Sequence, residues 1–422
     1  MTRDDAAPDK KILVLTPQFP SYPPSQGTTI RNFNLVAGLA RRHEVHLLSF
    51  GDPAAGRETP LHALCHSVQV VRPPARTTAQ RLQGLFLSRQ PDMARRLPSA
   101  PFRAALDVTL GRENPDVVQV EGIELAQYLF HAAAQRGERA RPLLVFDDHN
   151  AEYLLQQRAF ETDAGQLWPF QARRWAGAAY SFVQWRRLQR YERQACRVAD
   201  RVAAVSEADA EALRRLLPDL APAVVPNGVD MDYYTAEVPP LEGVEGPAAG
   251  DLVFTAKMDF RPNVDAVLWF ARQVLPLVRR ESPATRFWVV GKDPHPRLAP
   301  LAEAPGVVLT GWVQDVRPYI DAADIYVIPL RIGGGTRLKV LEAMAMGKAI
   351  VSTALGCEGF DLVPDQELVV ADEPATFARA ILNLLGNPDL RGRLGRAARR
   401  FAGARYDWRM IVPKMERLYS EE

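Results

Sequence analysis

Short, unbroken apolar runs alternate along this chain with longer stretches in which apolar residues recur every three or four positions. A run of four to six apolar residues is typical of a strand buried on both faces, whereas the longer period indicates a helix with one buried side. Repeated alternation of the two patterns predicts a parallel α/β sheet. In the first half of the chain we expect a helix from about Gly27 and strands at 12–15, 45–50, 116–120, 143–146 and 202–205.

The same alternation restarts after a segment at 238–250 that is interrupted by prolines and glycines and therefore reads as a loop. A helix is predicted at 263–281, with Asn263 as its N-cap. The second half thus repeats the architecture of the first. Its predicted strands are 252–255, 287–290, 307–309, 325–328, 349–351 and 368–370.

These patterns divide the chain into three parts. Single hydrophobic cores stop growing at roughly 250 to 300 residues, so a chain of 422 residues is expected to form two domains. We place an N-terminal α/β domain at 1–225 and a second α/β domain at 226–405. The remaining residues, 406–422, have apolar positions at helical spacing and are expected to form a helix that packs back on the N-terminal domain.

Composition and charge narrow the classes of function. The 52 basic and 50 acidic residues leave a net charge of +2, which gives no whole-molecule attraction to nucleic acid. Three cysteines without a close pair or a ligand-like spacing to histidine argue against a disulfide framework and a zinc site. No stretch resembles a signal peptide, and none approaches the ~20 apolar residues of a membrane helix. We therefore expect a cytoplasmic protein, at most peripheral to the inner face of the cell membrane.

A glycine-rich segment in the second half has the pattern of an anion-binding loop. Three consecutive glycines, the last of them Gly335, precede Thr336, which is placed to cap the helix that follows. Glycine lets the backbone approach a ligand closely, and the amides of Arg337 and Leu338 begin the helix. Free amides at the positive end of a helix favour a diphosphate.

Two side chains on the same helix complete this predicted site. Side chains tilt toward the N-terminus of a helix, so the carboxylate of Glu342 can face the ligand and accept hydrogen bonds from two vicinal ribose hydroxyls. Lys339 adds a positive charge. The alternative is an ordinary loop followed by a solvated helix, since a single glycine-rich loop is a weak signal.

The residues around this helix resemble the retaining glycosyltransferases of the group 1 type, which have the GT-B fold. The match covers 329–353, above all Glu-Ala-Met-Ala at 342–345 and Gly-Lys-Ala-Ile-Val at 347–351. The resemblance implies two facing Rossmann-like domains, the first binding the acceptor and the second a nucleotide-sugar donor, with no other cofactor. The Gly-Gly-Gly-Thr-Arg-Leu-Lys segment and Met-Asp-Phe-Arg-Pro-Asn at 258–263 are most similar to a subgroup associated with exopolysaccharide and PEP-CTERM systems.

The resemblance also assigns donor-binding residues. Family members usually carry two glutamates separated by seven residues. Here the second is Glu342, which is implied to bind the ribose, whereas the first position is Gly334, so the hexose contact is altered. Gly27, which follows the first strand, is included among the implied donor-binding residues.

Charge neutralisation of the donor phosphates is implied by the same resemblance. An arginine and a later lysine do this work in the family. Lys257 stands at the first of these positions and Pro262 at the second, and the adjacent Arg261 is either a substitute cation or an ordinary surface charge.

His149 is the remaining residue to which the resemblance gives a catalytic role. It follows a predicted strand and is implied to contact the sugar or to stabilise charge, a histidine of the core being the alternative. No carboxylate near His149 stands out as a nucleophile, and Asp148 and Glu152 remain candidates for a supporting role. The family is usually assigned a front-face route in which the leaving phosphate takes the acceptor proton.

Two further patterns have ordinary alternatives. Asp230-Met231-Asp232 has a spacing found in metal sites, but that spacing is common by chance, and we expect no metal. From 168 to 193, seven aromatic residues are interleaved with six arginines. This stretch is either a helix that contacts a membrane interface or a packed helix with solvated arginines.

The leading hypothesis is therefore transfer of a hexose from a nucleoside diphosphate sugar, with retention, to a glycan or lipid-linked saccharide. A non-hydrolysing nucleotide-sugar 2-epimerase is a second hypothesis, which requires additional carboxylates as acid and base. A non-catalytic scaffold of a polysaccharide assembly complex is a third, because Gly334 replaces the first family glutamate.

Overall fold

The chain forms two compact units, each built on a parallel sheet. The first unit contains Met1–Pro226 together with Ile411–Glu422, and the second is Asn227–Met410. The computed structural model describes residues 9–20, 22, 27–54, 59–77, 84, 88–137, 141–165, 172–235, 237–241, 243, 245–332 and 337–420.

The first unit contains a seven-stranded sheet in the order β3-β2-β1-β4-β5-β6-β7. Its central strands are mostly apolar and buried, as in residues 12–15, which are at most 1% exposed. The strands are β1 Lys11–Thr16, β2 Glu44–Phe50, β3 Ser67–Val71, β4 Val117–Glu121, β5 Leu143–Asp148, β6 Arg201–Ala204 and β7 Ala223–Val224.

Helices connect these strands, and their first turns are stabilised locally. Ser99 caps one helix by accepting a hydrogen bond from the Phe102 amide, and Ser206 caps another by accepting from the Asp209 amide. The helices are α1 Gly27–Leu39, α2 Leu61–Leu64, α3 Ala100–Glu113, α4 Ala126–Ala134, α5 Glu152–Gly165, α6 Ala172–Val198 and α7 Glu207–Leu216, with 3-10 turns at Met93–Arg95 and Ile123–Leu125.

The second unit contains a six-stranded sheet in the order β10-β9-β8-β11-β12-β13. All recorded strand pairs in both sheets are parallel, as the sequence pattern predicts. The strands are β8 Leu252–Thr255, β9 Phe287–Val290, β10 Val307–Gly311, β11 Ile325–Ile328, β12 Ala349–Ser352 and β13 Val369–Val370.

The helix predicted at 263–281 is in fact three consecutive pieces, α9, a five-residue π-helical segment and α10. It begins at Arg261 with Phe260 at the N-cap, so the prediction that Asn263 is the N-cap was wrong. The helices of this unit are α8 Met231–Thr235, α9 Arg261–Trp269, α10 Leu275–Glu281, α11 Arg317–Ala322, α12 Leu338–Ala345, α13 Pro374–Leu385 and α14 Pro388–Tyr406, with the π-helix at Phe270–Val274 and 3-10 turns at Pro296–Glu303 and Leu355–Cys357.

The last helix, α15 Trp408–Glu416, leads into a 3-10 turn at Arg417–Tyr419. Residues from Ile411 onward belong to the first unit, and the β-carbon that an alanine at Gly38 of α1 would add lies only 2.4 Å from the side chain of Val412. The prediction that the C-terminal helix packs on the N-terminal domain is confirmed. Residues 406–410 stay with the second unit, where the Val229 amide donates to the Tyr406 carbonyl at 2.8 Å.

Both sheets contain one point at which the strand order reverses. In the first unit it lies between β1 and β4, and in the second between β8 and β11. Ligands of open parallel sheets bind outside the carboxyl ends of the strands at such points. The fold therefore identifies one place in each unit at which to look for chemistry.

Candidate active site

A cavity of 240 Å³ opens at the switch point of the first unit. The segments that follow β1, β4 and β5 all contribute to it, as expected for the carboxyl edge of a parallel sheet. Its wall contains Pro17, Gln18, Thr28, Arg96, Leu97, Gly122, Ile123, Glu124, Asp148, His149, Asn150 and Glu152.

His149 in this wall is bonded to a buried carboxylate. Its Nε2 atom lies 2.7 Å from Oε2 of Glu121, whose side chain is 1% exposed. The two residues meet because β4 and β5 are paired in parallel, with Glu121 opposite Asp147. Gly122 turns the chain there with φ of 78°, a left-handed conformation suited to glycine. The sequence pattern did not reveal Glu121, which the pairing of β4 and β5 brings to hydrogen-bonding distance of His149.

A wider network of hydrogen bonds holds this pair. The Arg31 guanidinium of α1 binds both carboxylate oxygens of Asp147, with Nε to Oδ2 at 2.8 Å and Nη2 to Oδ1 at 2.9 Å. On the other side, Gln119 Nε2 donates to Glu121, and the Tyr419 hydroxyl donates to Gln119 Oε1. Glu121 is thus fixed by a chain of contacts that ends in the C-terminal segment.

The pKa values of the pair change in opposite directions. Burial favours the neutral form of Glu121, but the hydrogen bond and charge of His149 outweigh it and lower the pKa of Glu121. Burial also favours neutral His149, but Glu121 and Asp147 outweigh it and raise the pKa of His149. The contact therefore stabilises an imidazolium beside a carboxylate.

Ligand-type atoms of Glu121, Asp147 and His149 lie within 4.8 Å of one another, a spacing that would also suit a metal ion. Both oxygens of Asp147 are bound to Arg31, and Glu121 is bound to His149 and Gln119. Since these ligand atoms already have partners, we interpret the cluster as a hydrogen-bonded network.

The two carboxylates proposed from the sequence as helpers have different surroundings. Asp148 is 1% exposed, and burial together with Glu192 raises its pKa well above the usual range. Glu192, in turn, accepts hydrogen bonds from the amides of Glu152 and Tyr153 and so fixes the start of α5. Burial and the charge of Glu124 raise the pKa of Glu152 to about 7.

Glu121 had a detectable signal in the sequence. It is the polar residue that ends an apolar strand, and the next strand along the chain ends in Asp147 and Asp148. Polar residues at the ends of neighbouring parallel strands meet at one edge of the sheet. Arg31 and Tyr419 carried no comparable signal, because they reach the network from distant segments.

At the switch point of the second unit, α12 begins at Leu338, with Arg337 as the preceding N-cap residue. Lys339 Nζ donates to Oδ1 of Asn263 at 2.8 Å and lies 4.6 Å from the ring centroid of Phe254. Asn263 Nδ2 donates to the backbone carbonyl of Lys257, also at 2.8 Å. The Asn263 amide therefore links the side chain of Lys339 to the backbone at Lys257.

Glu342 lies one turn further along α12. Burial, followed by the charge and hydrogen bonding of Glu342, raises the pKa of Tyr234 of α8 well above its usual range. Burial raises the pKa of Glu342, although Tyr234 and Lys339 act in the opposite direction. The carboxylate is thus held in place on a helix rather than solvated, in contrast to the alternative weighed from the sequence.

Other predicted residues lie at this edge or outside the described chain. Lys257 is half exposed and pairs with Asp259 at 3.0 Å, and Arg261 is exposed in the first turn of α9. Gly27 is the exposed first residue of α1, in the first unit. The predicted residues Gly334, Gly335 and Thr336 lie outside the described residues.

The Asp-x-Asp motif has structural contacts. Asp230 Oδ1 accepts a hydrogen bond from the Tyr233 amide at 2.9 Å, as an N-cap of α8 would. Asp232 Oδ1 lies 3.2 Å from Arg409 Nη2. Both carboxylates are thus engaged in local contacts.

Residues 172–193 of the aromatic stretch belong to α6, which packs along α5, and 168–171 lie outside the described residues. Trp185 stacks on Phe160 with ring centroids 6.0 Å apart, so it is a packing residue. Trp175, Tyr180 and Phe182 instead expose 55%, 41% and 44% of their surface. Among the helices of the described chain, none is long and apolar enough to cross a membrane.

Two family profiles match most of the chain. Residues 26–233 match the family described as Glycosyltransferase Family 4, and residues 249–387 match Glycosyl transferases group 1. The phosphatidyl-myo-inositol mannosyltransferase of Mycolicibacterium smegmatis is 30% identical over 203 residues, which cover 46% of this chain and 50% of that protein. An uncharacterized 44.6 kDa protein in the cps region of Klebsiella pneumoniae is 24% identical over 145 residues, or 32% of this chain and 37% of that protein. The chain thus spans about half or less of the length of these curated relatives.

Solved structures agree with the fold over nearly the whole chain. Sucrose-phosphate synthase from Thermosynechococcus elongatus has a TM-score of 0.68 at 18% identity, covering 97% of this chain and 98% of its own. The Anabaena protein HepE in complex with UDP has a TM-score of 0.63 at 16% identity, covering 96% and 98%. WaaG, a glycosyltransferase involved in lipopolysaccharide biosynthesis, has a TM-score of 0.62 at 16% identity, covering 97% and 100%. The predicted GT-B fold is confirmed.

Proposed function

The chain belongs to the group 1 glycosyltransferases, and from that premise we propose that it moves a hexose from a nucleoside diphosphate sugar to a glycan or lipid-linked saccharide. We further propose that the transfer retains the anomeric configuration and serves cell-surface polysaccharide synthesis. The observation that carries the proposal is the cluster of Lys339, Asn263 and Glu342 at the switch point of the second unit.

The donor diphosphate is proposed to bind at the start of α12. The first amides of the helix have no partner within the helix, and they lie at the positive end of its dipole. Lys257, which follows β8, and the protonated form of Lys339 add positive charge at the carboxyl edge of this sheet, so this end of the second unit attracts an anion. The exposed Arg261 is a third candidate cation beside them.

Glu342 is proposed to bind the ribose. An ionised carboxylate accepts hydrogen bonds from two neighbouring hydroxyls, and Glu342 lies near enough to Tyr234 to raise the pKa of that tyrosine. Burial has raised the pKa of Glu342, so the ribose hydroxyls would replace part of the hydration that its carboxylate has lost.

The chemistry is proposed to be electrostatic. The bond from the anomeric carbon to the diphosphate oxygen breaks, and a new bond to the acceptor oxygen forms on the same face of the sugar. The leaving phosphate takes the acceptor proton. Lys257, Lys339 and the helix amides stabilise the charge that grows on the leaving diphosphate, and no bound metal is required by this route.

His149 is proposed to act on the substrate that enters the cavity of the first unit. With its pKa raised by Glu121, it offers a hydrogen bond and positive charge at the cavity wall. Glu121 orients the imidazole ring, because a carboxylate bound to one ring nitrogen fixes the orientation of a histidine. His149→Ala should therefore reduce turnover more than donor binding.

The names of similar proteins support the proposed class of acceptor. The relative from Mycolicibacterium smegmatis is named for transfer to phosphatidyl-myo-inositol, and WaaG is described as acting in lipopolysaccharide biosynthesis. Peripheral contact with a membrane, through the exposed aromatics of α6, would suit such acceptors. The 2-epimerase hypothesis gains no support, since these relatives are named as transferases.

A donor screen tests the proposal directly. Purified protein is heated with UDP-, GDP- and ADP-sugars, and a ligand that binds only the folded state raises the melting temperature. Release of nucleotide is then measured with and without saccharide acceptors. Stabilisation by one donor together with acceptor-dependent release would support the transferase. A folded protein that neither binds nor turns over any donor would instead indicate the scaffold.

Replacing Glu342 by alanine should weaken donor binding without unfolding the protein. Loss of a hydrogen-bonding carboxylate is expected to cost about 1.5 to 3 kcal/mol, which is roughly a ten- to hundredfold rise in Kd. Titration calorimetry with the donor identified in the screen measures it. Glu281→Ala, which changes an exposed glutamate at the end of α10, is the matched control. Equal affinity of the Glu342→Ala protein and the wild type would contradict the assigned role.

A further inference from the structure

Asn263 is a buried amide that joins two parts of the proposed donor site. It is 7% exposed, its Oδ1 atom accepts from Lys339 Nζ, and its Nδ2 atom donates to the Lys257 carbonyl, both at 2.8 Å. Nothing in the sequence pattern assigned it a binding role. Since both ends of the amide are engaged, its orientation is fixed, and so is the position of the ammonium group it holds.

Without a bound anion, a positive charge at the position of Lys339 is electrostatically unfavourable. Lys339 lies in the first turn of α12, where the helix dipole repels cations, and that turn contains no acidic residue. Arg337, the N-cap residue, stands immediately before this first turn and adds a further positive charge. The attraction of the Phe254 ring and of Glu342 offsets this repulsion in part. A concentration of positive charge at a helix start is relieved by a bound anion.

We propose that Asn263 is a positioning residue that holds the Lys339 ammonium for the donor diphosphate, and that donor binding is accompanied by proton uptake at Lys339. This inference rests on the proposed function, because it concerns the same donor site. It assigns Asn263 to that site and states that Lys339 gains a proton when the donor binds.

The charges around Lys339 determine the direction of the pH effect. Burial lowers the pKa of Lys339 to about 7, Glu342 acts against this, and Arg337 adds to it. Tyr234 and Tyr326 face Glu342 from α8 and β11. Lys257 and Asp259 follow β8 and pair with each other.

A bound diphosphate favours the charged lysine and raises its pKa, so binding takes up a proton at a pH above 7. Affinity should therefore fall as the pH rises. With a pKa of about 7 for Lys339 in the free protein and a protonated lysine in the complex, the Kd of the wild type should increase about 20-fold between pH 7.5 and 9.0. The phosphate groups themselves do not titrate in this range, since their last pKa is about 6.

Calorimetric titration with UDP, GDP and ADP at both pH values tests the inference. Repeating each titration in buffers with different ionisation enthalpies counts the protons taken up. Lys339→Met should weaken binding at pH 7.5 about tenfold and remove the pH dependence. Lys339→Arg should keep a cation that does not titrate, and so also lose the pH dependence.

Asn263 is tested with two substitutions of similar volume. Asn263→Leu should weaken nucleotide binding because the ammonium is no longer held. Asn263→Asp places a carboxylate beside Lys339 and should move the pH dependence of binding to higher pH, an effect that a merely structural role would not produce. Melting temperatures identify a variant that fails to fold. If one of the two Asn263 variants does not fold, nucleotide binding by the other tests the role of Asn263.

Lys348→Met is the matched control. Lys348 is also partly buried, with its Nζ 2.7 Å from the Asp321 carbonyl, but it lies beyond the opposite end of α12. Nucleotide affinity and its pH dependence should not change in this variant. If Lys339→Met and Asn263→Leu bind nucleotide as the wild type does, with the same pH dependence, the inference is wrong and the proposed function stands. If the folded wild type binds none of the three nucleotides, both are overturned.

Discussion

Glu121 is the residue that gives His149 its particular chemistry. A histidine at the wall of a cavity would titrate near pH 6.5 if it were isolated. Here a buried carboxylate 2.7 Å away raises the pKa of the imidazole and selects which ring nitrogen faces the cavity. The activity attributed to His149 is therefore expected to depend on both residues.

Glu121→Gln should lower the pKa of His149 and reduce stability in a pH-dependent manner. A raised histidine pKa stabilises the folded protein below about pH 6.5, and this contribution is lost as the pH rises through the folded value. A lowered glutamate pKa stabilises above about pH 4.3, and this is lost on acidification. The substitution should thus cost about 1 to 3 kcal/mol near pH 6 and less at pH 9.

Urea unfolding at the two pH values, with NMR titration of the imidazole, measures both effects. His131 forms a similar contact with Asp107, 2.6 Å long, but at the surface. Asp107→Asn is therefore a control that should change stability by less than about 1 kcal/mol. An equal loss of stability at pH 6 and pH 9 in Glu121→Gln would contradict the charged pair.

At the scale of elements, α12, the helix of the proposed donor site, is held by a close approach of α14. A β-carbon at Gly395 would lie 1.9 Å from the carbonyl oxygen of Gly347, which follows the C-cap residue of α12 and has a φ of 65°. The backbone at Gly347 cannot move aside to relieve such a clash as a flexible side chain can. The glycine therefore sets the distance between the two elements.

Gly395→Ala should destabilise the protein by about 1 to 3 kcal/mol through overpacking. Gly392, one turn earlier in α14, is the control, because a β-carbon there meets only the end of the Arg396 side chain. Gly392→Ala should stabilise by up to about 1 kcal/mol, since alanine favours a helix over glycine. Denaturant titration compares them, and a Gly395→Ala protein as stable as Gly392→Ala would exclude the close approach.

Helix α6 contains one tryptophan that packs against another helix and one that is exposed to solvent. Trp185→Ala should lose about 2 to 3 kcal/mol of stability, because the ring stacks on Phe160. Trp175→Ala should change stability by no more than about 0.5 kcal/mol, since the side chain is 55% exposed. If α6 contacts a membrane, Trp175→Ala should also reduce flotation with anionic liposomes. Flotation that is absent in the wild type, or unchanged in the variant, would remove the membrane from the proposal.

Some strands could be predicted from the sequence pattern and others could not. Apolar runs such as 252–255 and 325–328 coincide with the observed strands because burial on both faces leaves no polar position. β3 was missed because it lies at the edge of its sheet and carries exposed Ser67 and Gln69. The π-helical segment after α9 was missed because it keeps the same apolar side buried as a continuous helix would.

The candidate site was predictable where a residue follows its own strand or starts its own helix. His149, Lys257 and Glu342 belong to that class. Glu342 follows from the pattern of its own helix, and His149 and Lys257 follow from the family resemblance of single segments. Asn263 and Tyr419 do not belong to that class, because their partners are 76 and 300 residues away in sequence. Contacts across such distances depend on the packing of the whole unit, which local periodicity does not encode.

At the scale of the whole molecule, the first unit depends on a segment from the far end of the chain. Met415 is fully buried there, whereas Met410, just before the unit boundary, is 49% exposed. Met415→Ala should therefore destabilise the first unit by about 2 to 5 kcal/mol, and Met410→Ala should be nearly neutral. Calorimetric melting of the two variants tests this. Similar melting curves for both would show that the C-terminal segment contributes little.

The hydrogen bond from Tyr419 to Gln119 also has a consequence for biosynthesis. A ribosome adds roughly 5 to 20 residues per second, and N-terminal domains usually fold first. Here Gln119 and Glu121 emerge early, but their partner Tyr419 is made only after the entire second unit. The nascent first unit must therefore wait about 15 seconds or longer with the His149 network incomplete. In newly made protein, the hydrogen-bond network around His149 is thus completed only after Tyr419 has been synthesised.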